Sequence, residues 1–121
     1  NLNIKNFSIL PGSELKLLSG LKKDCSGIIT ATCNVTAKLA RKVFDDFEQN
    51  IDQTVNDKLC EVRKAFDQFN LISGLHSFLS LSDKQFLNIL PTCSLLSKQD
   101  EKTLIDKLKD LDFLGKDFKA A

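Results

Sequence analysis

The chain has 121 residues, 17 basic against 16 acidic side chains, a formal net charge of +1 and 42% hydrophobic residues. That balance belongs to a globular protein; it excludes a basic stripe for nucleic acid and an acidic tail, and the length allows one compact domain. No apolar run approaches the roughly 18 residues of a membrane-spanning helix, and the N-terminus lacks a signal peptide's basic region and long apolar core, so a cytoplasmic protein without membrane or nucleic-acid partners is expected.

The first predicted element is a strand from Phe7 to Leu10, ending at Pro11-Gly12. Ser13 can then cap a helix, and Glu14 sets a carboxylate in its first turn, where the helix dipole is positive. This helix carries Leu15, Leu17, Leu18 and Leu21 and closes on Lys22-Lys23, cations that suit its negative end. A second strand starts after Ser26-Gly27 and runs Ile28-Ile29-Thr30-Ala31-Thr32, apolar on both faces as in a parallel strand covered by helices. Both strands are expected to be buried, and two successive strand-to-helix units predict an α/β fold.

Asn34 or Thr36 can cap the next helix, in which Val35, Leu39, Ala40, Val43, Phe44 and Phe47 recur at helical spacing and charged residues fill the other face. A further helix is expected from about Asp52 to Phe69, with Val55, Leu59, Val62, Ala65, Phe66 and Phe69 as its stripe. Short helices follow from Leu71 to Leu81 and from Ser82 to Leu90, the second stopped by Pro91. Ser97 opens the last helix, whose inner face is Leu104, Ile105, Leu108 and Leu111, and the tail Leu114-Gly115-Lys116-Asp117 is expected to fray. There is no internal repeat or linker, so a single unit of two strands and about six helices is predicted. Two parallel strands alone leave two open edges, which a further chain segment or self-association must cover.

Cys25, Cys33, Cys60 and Cys93 contain no C-x-x-C pair and His76 is the sole histidine, so free thiols are expected and no metal site. The sequence has no Met, Trp or Tyr. Without Met, Asn1 is not a translated start, which predicts a processed or incomplete portion of a longer chain.

Phe7 to Glu14, Gly27 to Val35, Arg63-Lys64-Ala65-Phe66, Leu71 to His76 and Leu90-Pro91-Thr92 together resemble, in order and spacing, the C-terminal portion of the dihydrodipicolinate synthase and N-acetylneuraminate lyase family. The similarity covers about Asn6 to Leu111 and departs from the family at His76, often a lysine, and at Thr92, often a second proline. The resemblance implies the last two βα units of a TIM (β/α)8 barrel plus a helical extension. Residues 1–34 would hold the two terminal barrel strands and their intervening helix, and 35–121 the final barrel helix and the extension. A whole barrel needs roughly 250 residues, so this one would be incomplete.

The activity so implied is that of a Schiff-base class I aldolase or lyase acting on pyruvate or a related 2-keto acid, without a cofactor. The family's imine-forming lysine, its proton-relaying tyrosine and its carboxylate-binding hydroxyls lie on earlier strands, so no residue of this chain is assigned a catalytic role. The resemblance places Gly12, Ser13 and Ile29 at the substrate, Gly12 because a missing Cβ lets substrate approach the backbone. A plain turn and helix cap would equally explain Gly12 and Ser13, and core packing Ile29. Lys5 reads as solvated, His76 as a structural histidine, Cys33 as a buried thiol beside a helix start, and Glu14 as a dipole partner. The expected partner is the missing N-terminal half of the barrel, or a second copy. The alternative function is a non-catalytic helical scaffold or oligomerisation module derived from that family, and a new small enzyme using Cys33 or His76 is a remote third.

Overall fold

The computed structural model describes residues 6–114, and every regular element among them is helical. Lys5 and the tail residues Gly115, Lys116 and Asp117 lie outside the described residues. A 3-10 turn, Glu14–Lys16, leads into α1 (Leu17–Leu21), followed by α2 (Cys33–Glu48), α3 (Asn56–Phe66), α4 (Leu71–Leu79), a second 3-10 turn (Lys84–Leu87) and α5 (Lys98–Asp110).

The expected α/β architecture, an incomplete TIM (β/α)8 barrel, is overturned: the described residues contain no strand and no sheet. The segments around Phe7–Leu10 and Ile28–Thr30 do lie side by side, joined by Ser26 N–H to the Ile9 carbonyl (2.9 Å) and Ile29 N–H to the Pro11 carbonyl (3.2 Å). These acceptors are two residues apart and the donors three, a mismatch that breaks the even spacing of a parallel ladder. Gly27, between the two donors, has φ of +141°, off the strand conformation. Thr30 already opens a turn, its carbonyl accepting the Cys33 N–H. The expected burial fails as well, since Phe7, Ile9, Leu10 and Ile29 are 61%, 52%, 45% and 70% exposed.

The helices fold much as their apolar spacing dictates. Val35, Leu39, Ala40 and Val43 of α2, Leu59, Val62, Ala65 and Phe66 of α3, and Leu75, Phe78 and Leu79 of α4 face a common core, with Leu17 and Leu21 of α1 and Leu104 and Leu108 of α5. Helix α3 is central, packing on α2, α4, α5 and the first 3-10 turn. Phe78 joins two rings, edge-on to Phe66 at 5.7 Å and tilted against Phe113 at 6.1 Å.

Three helices end in the same way, with Asp24, Asn50 and Asp112 at φ of 62°, 54° and 50° in the left-handed region where glycine is commonest. The residue after each bonds back across the turn: Cys25 to the Gly20 carbonyl, Ile51 to Asp46 and Phe113 to Leu108. This closure explains why the helix expected from Asp52 starts only at Asn56. Ile51 is committed to the end of α2, and the Gln53 side chain donates to the Val43 carbonyl at 3.1 Å. The helix expected from Ser82 to Leu90 shrinks to its 3-10 turn because the Ser82 hydroxyl donates back to Leu79 at the end of α4, leaving Asp83 to cap Gln85. Ser97 caps α5 as expected, accepting the Asp100 N–H at 3.1 Å.

Candidate functional site

Glu14, the first residue of the 3-10 turn, is completely buried and is the hub of a polar cluster inside the helical core. Its Oε1 accepts hydroxyl bonds from Thr30 (2.8 Å), Thr36 (2.9 Å) and Thr32, and its Oε2 accepts Arg63 Nη1 at 2.9 Å. Arg63 divides its fork, since its Nε also donates to Asp67 at 2.8 Å. The donors come from the loop before α2, from the first turns of α2 and from α3, so one carboxylate ties the N-terminal segment to both helices.

Burial alone would push the Glu14 carboxyl upward, because a charged carboxylate loses its hydration. Hydrogen bonds from Thr32, Arg63, its own backbone and Thr30 outweigh burial, and the group is held below the ordinary value of 4.5. Burial also disfavours the Arg63 cation, but bonds to Glu14 and Asp67 reverse this and raise its pKa. The pair is therefore a charged, fully partnered unit. Its geometry suits anchoring, since both carboxylate oxygens are occupied by donors of the protein itself.

The cluster sits directly behind the residues that the resemblance assigns to substrate. A Cβ placed on Gly12 would lie 4.0 Å from the Ile29 carbonyl oxygen, and the Pro11 carbonyl takes the Ile29 N–H. Gly12 and Ile29 thus share one surface edge, with Ser13 next to it. The Ser13 hydroxyl accepts the Leu15 N–H at 3.3 Å, so it acts as the helix cap that its position predicts. Ile29 is not the core residue that apolar character would make it; its side chain stands out from the protein.

The other side chains singled out from the sequence lie apart from this edge in their bonding. His76 in α4 holds the Phe86 carbonyl through Nδ1 at 2.9 Å, with the two rings edge-on at 6.0 Å. Cys33 is the first residue of α2, where a helix N-terminus would favour a thiolate, yet burial and the Glu14 charge push its thiol upward. It therefore stays protonated. All four cysteines are free and half-buried. Among the described residues no group of three or more His, Cys, Asp or Glu side chains could hold a metal ion, and no helix is long and apolar enough to cross a membrane.

The role of Arg63 and of the threonines is not evident from the sequence. The signal it carries is a set of three threonines at 30, 32 and 36 close to a lone acidic helix start, and an arginine adjoining the apolar stripe of Val62 and Phe66. Against known family models, curated proteins and solved structures, the chain has no match.

Proposed function

We propose that this chain is the helix-rich C-terminal portion of a carbon–carbon lyase or aldolase similar to dihydrodipicolinate synthase and N-acetylneuraminate lyase. It would act on pyruvate or a related 2-keto acid through a lysine Schiff base supplied by another part of the enzyme. One observation carries the reading: Gly12, Ser13 and Ile29, the residues the resemblance puts at the substrate, gather at a single exposed edge. The open face of Gly12 leaves main-chain groups approachable by a small oxyacid. Beneath the edge, the Glu14 cluster fixes the turn that carries it.

Imine formation needs an amine that is uncharged near neutral pH, achieved by burial or by neighbouring positive charge. Lys64 illustrates the opposite environment, because its bond to Glu61 raises its pKa. Because the resemblance puts the imine-forming lysine outside this chain, the chain by itself is inactive in this reading. The test is borohydride reduction in the presence of pyruvate, read by intact mass. The chain alone should remain at 13.5 kDa, and mixing with an N-terminal half of a family enzyme that bears the lysine should give a complex with the reduced adduct on that half. A reduced pyruvate on this chain, or failure of the two halves to associate, would overturn the reading.

A second reading, a non-catalytic association module, is favoured by a separate observation. Phe7, Ile9, Leu10, Leu15 and Ile29 leave large apolar side chains exposed within the N-terminal segment. Such a surface fits a second copy of the chain.

A further inference from the structure

We propose that the cavity between the start of α2 and helix α4 binds a small, uncharged apolar molecule carrying an N–H or O–H donor, of the class of an aromatic amine. The cavity measures about 250 Å³ and is walled by apolar Ala31, Ile72, Leu79 and Phe86 and by polar Asn34 and His76. A closed apolar cavity of about 150 Å³ is enough to take up benzene; this one is open to solvent on one side, and its volume has room for a single substituted ring. A second cavity of about 520 Å³, lined by the 88–93 segment, shares Ile72 and His76 with the first, giving room for a ring substituent.

The two polar side chains decide the ligand's chemistry. A carbonyl oxygen only accepts, so the 2.9 Å contact with Phe86 requires the proton on His76 Nδ1. With that proton on Nδ1, the imidazole in its neutral form has its acceptor lone pair at Nε2, and the Phe86 ring lies edge-on to it at 6.0 Å. By the same logic Asn34 turns its amide nitrogen to the Ala31 carbonyl at 2.8 Å, which leaves its Oδ1 as an acceptor. Both side chains therefore offer acceptors to a ligand. No lysine or arginine lines either cavity, so nothing there neutralises a carboxylate or phosphate. This separates the site from the keto-acid edge at Gly12 and Ile29, and the proposal stands independently of that reading.

The experiment is a titration of the chain with aniline, and in parallel with toluene, an isostere that lacks the donors, followed by amide chemical shifts. Aniline is expected to shift resonances of Ala31, Asn34, Leu75 and Leu79 and to bind about tenfold more tightly than toluene, the worth of one good hydrogen bond. His76→Phe keeps a ring against Phe86 and removes one of the two acceptors, and should bring aniline part of the way down to the affinity of toluene. Asn34→Ala, at an exposed position, leaves His76 in place and should weaken aniline while sparing toluene; it serves where His76→Phe disturbs folding. Equal affinity for aniline and toluene, no binding of either, or shifts centred elsewhere would overturn the proposal.

Discussion

A carboxylate shut away from water survives as an anion only if donors replace its hydration, and Glu14 has four side chains that do so, Thr30, Thr32, Thr36 and Arg63. Its folded-state pKa lies below the ordinary 4.5, so the unfolded chain binds the proton more readily. The stabilisation is accordingly complete above pH 4.5 and is lost as pH falls through the lower folded value. Glu14→Gln retains the shape but not the charge; it should cost on the order of 1–3 kcal/mol at neutral pH and flatten the fall in stability on the acid side of 4.5. Urea unfolding of both proteins at neutral pH and near pH 4 reads this difference, and parallel pH profiles would refute it. The sequence located Glu14 correctly at a helix start, because caps and dipoles are local. It could not show Arg63, which lies 49 residues away and meets Glu14 only when α3 packs on the 3-10 turn.

At the scale of elements, the helical spacing of apolar residues placed α2, α3 and α5 because that pattern states which face must be buried. Strand expectation at Phe7–Leu10 and Ile28–Thr32 failed for a different reason. β-branched and apolar runs favour a pleated, half-buried surface, and propensity cannot create the neighbouring strands that make one. With two backbone bonds in unequal steps, these two segments lie side by side without becoming a ladder. Helix interiors permit a sharper prediction, at Gly74 of α4. A Cβ there would meet Phe66 Cδ1 at 3.5 Å and Leu104 Cδ2 at 3.8 Å, ordinary contacts that require no shift. Gly74→Ala should therefore stabilise the protein by about 0.5–1 kcal/mol, since glycine is the costlier residue inside a helix. Thermal unfolding would show a raised midpoint; a lowered one would mean that the α3, α4 and α5 contact tolerates less than these distances allow.

The whole molecule divides its apolar side chains unequally. Most apolar side chains of the helices join one core reaching from Leu17 to Phe113, whereas the segments before and after α1 leave Phe7, Ile9, Leu10 and Ile29 exposed, as Ile72 of α4 and Leu81, Leu87 and Leu90 beyond it also are. The backbone bonds from Ser26 to Ile9 and from Ile29 to Pro11 bring these two segments together, so the exposed apolar residues lie on neighbouring stretches of chain. Apolar surface gathered in this way favours association, because covering it releases water without disturbing the core. Sedimentation should consequently show a mass that rises with concentration. Ile9→Lys combined with Ile29→Lys should return the chain to a monomer, with helical circular dichroism unchanged because neither residue belongs to the buried core. A wild-type chain that stays monomeric at every concentration, or a double variant that associates equally well, would remove the association reading. If a lysine-bearing N-terminal half uses the same surface, adding it should dissolve the self-association, since one edge cannot hold two partners at once.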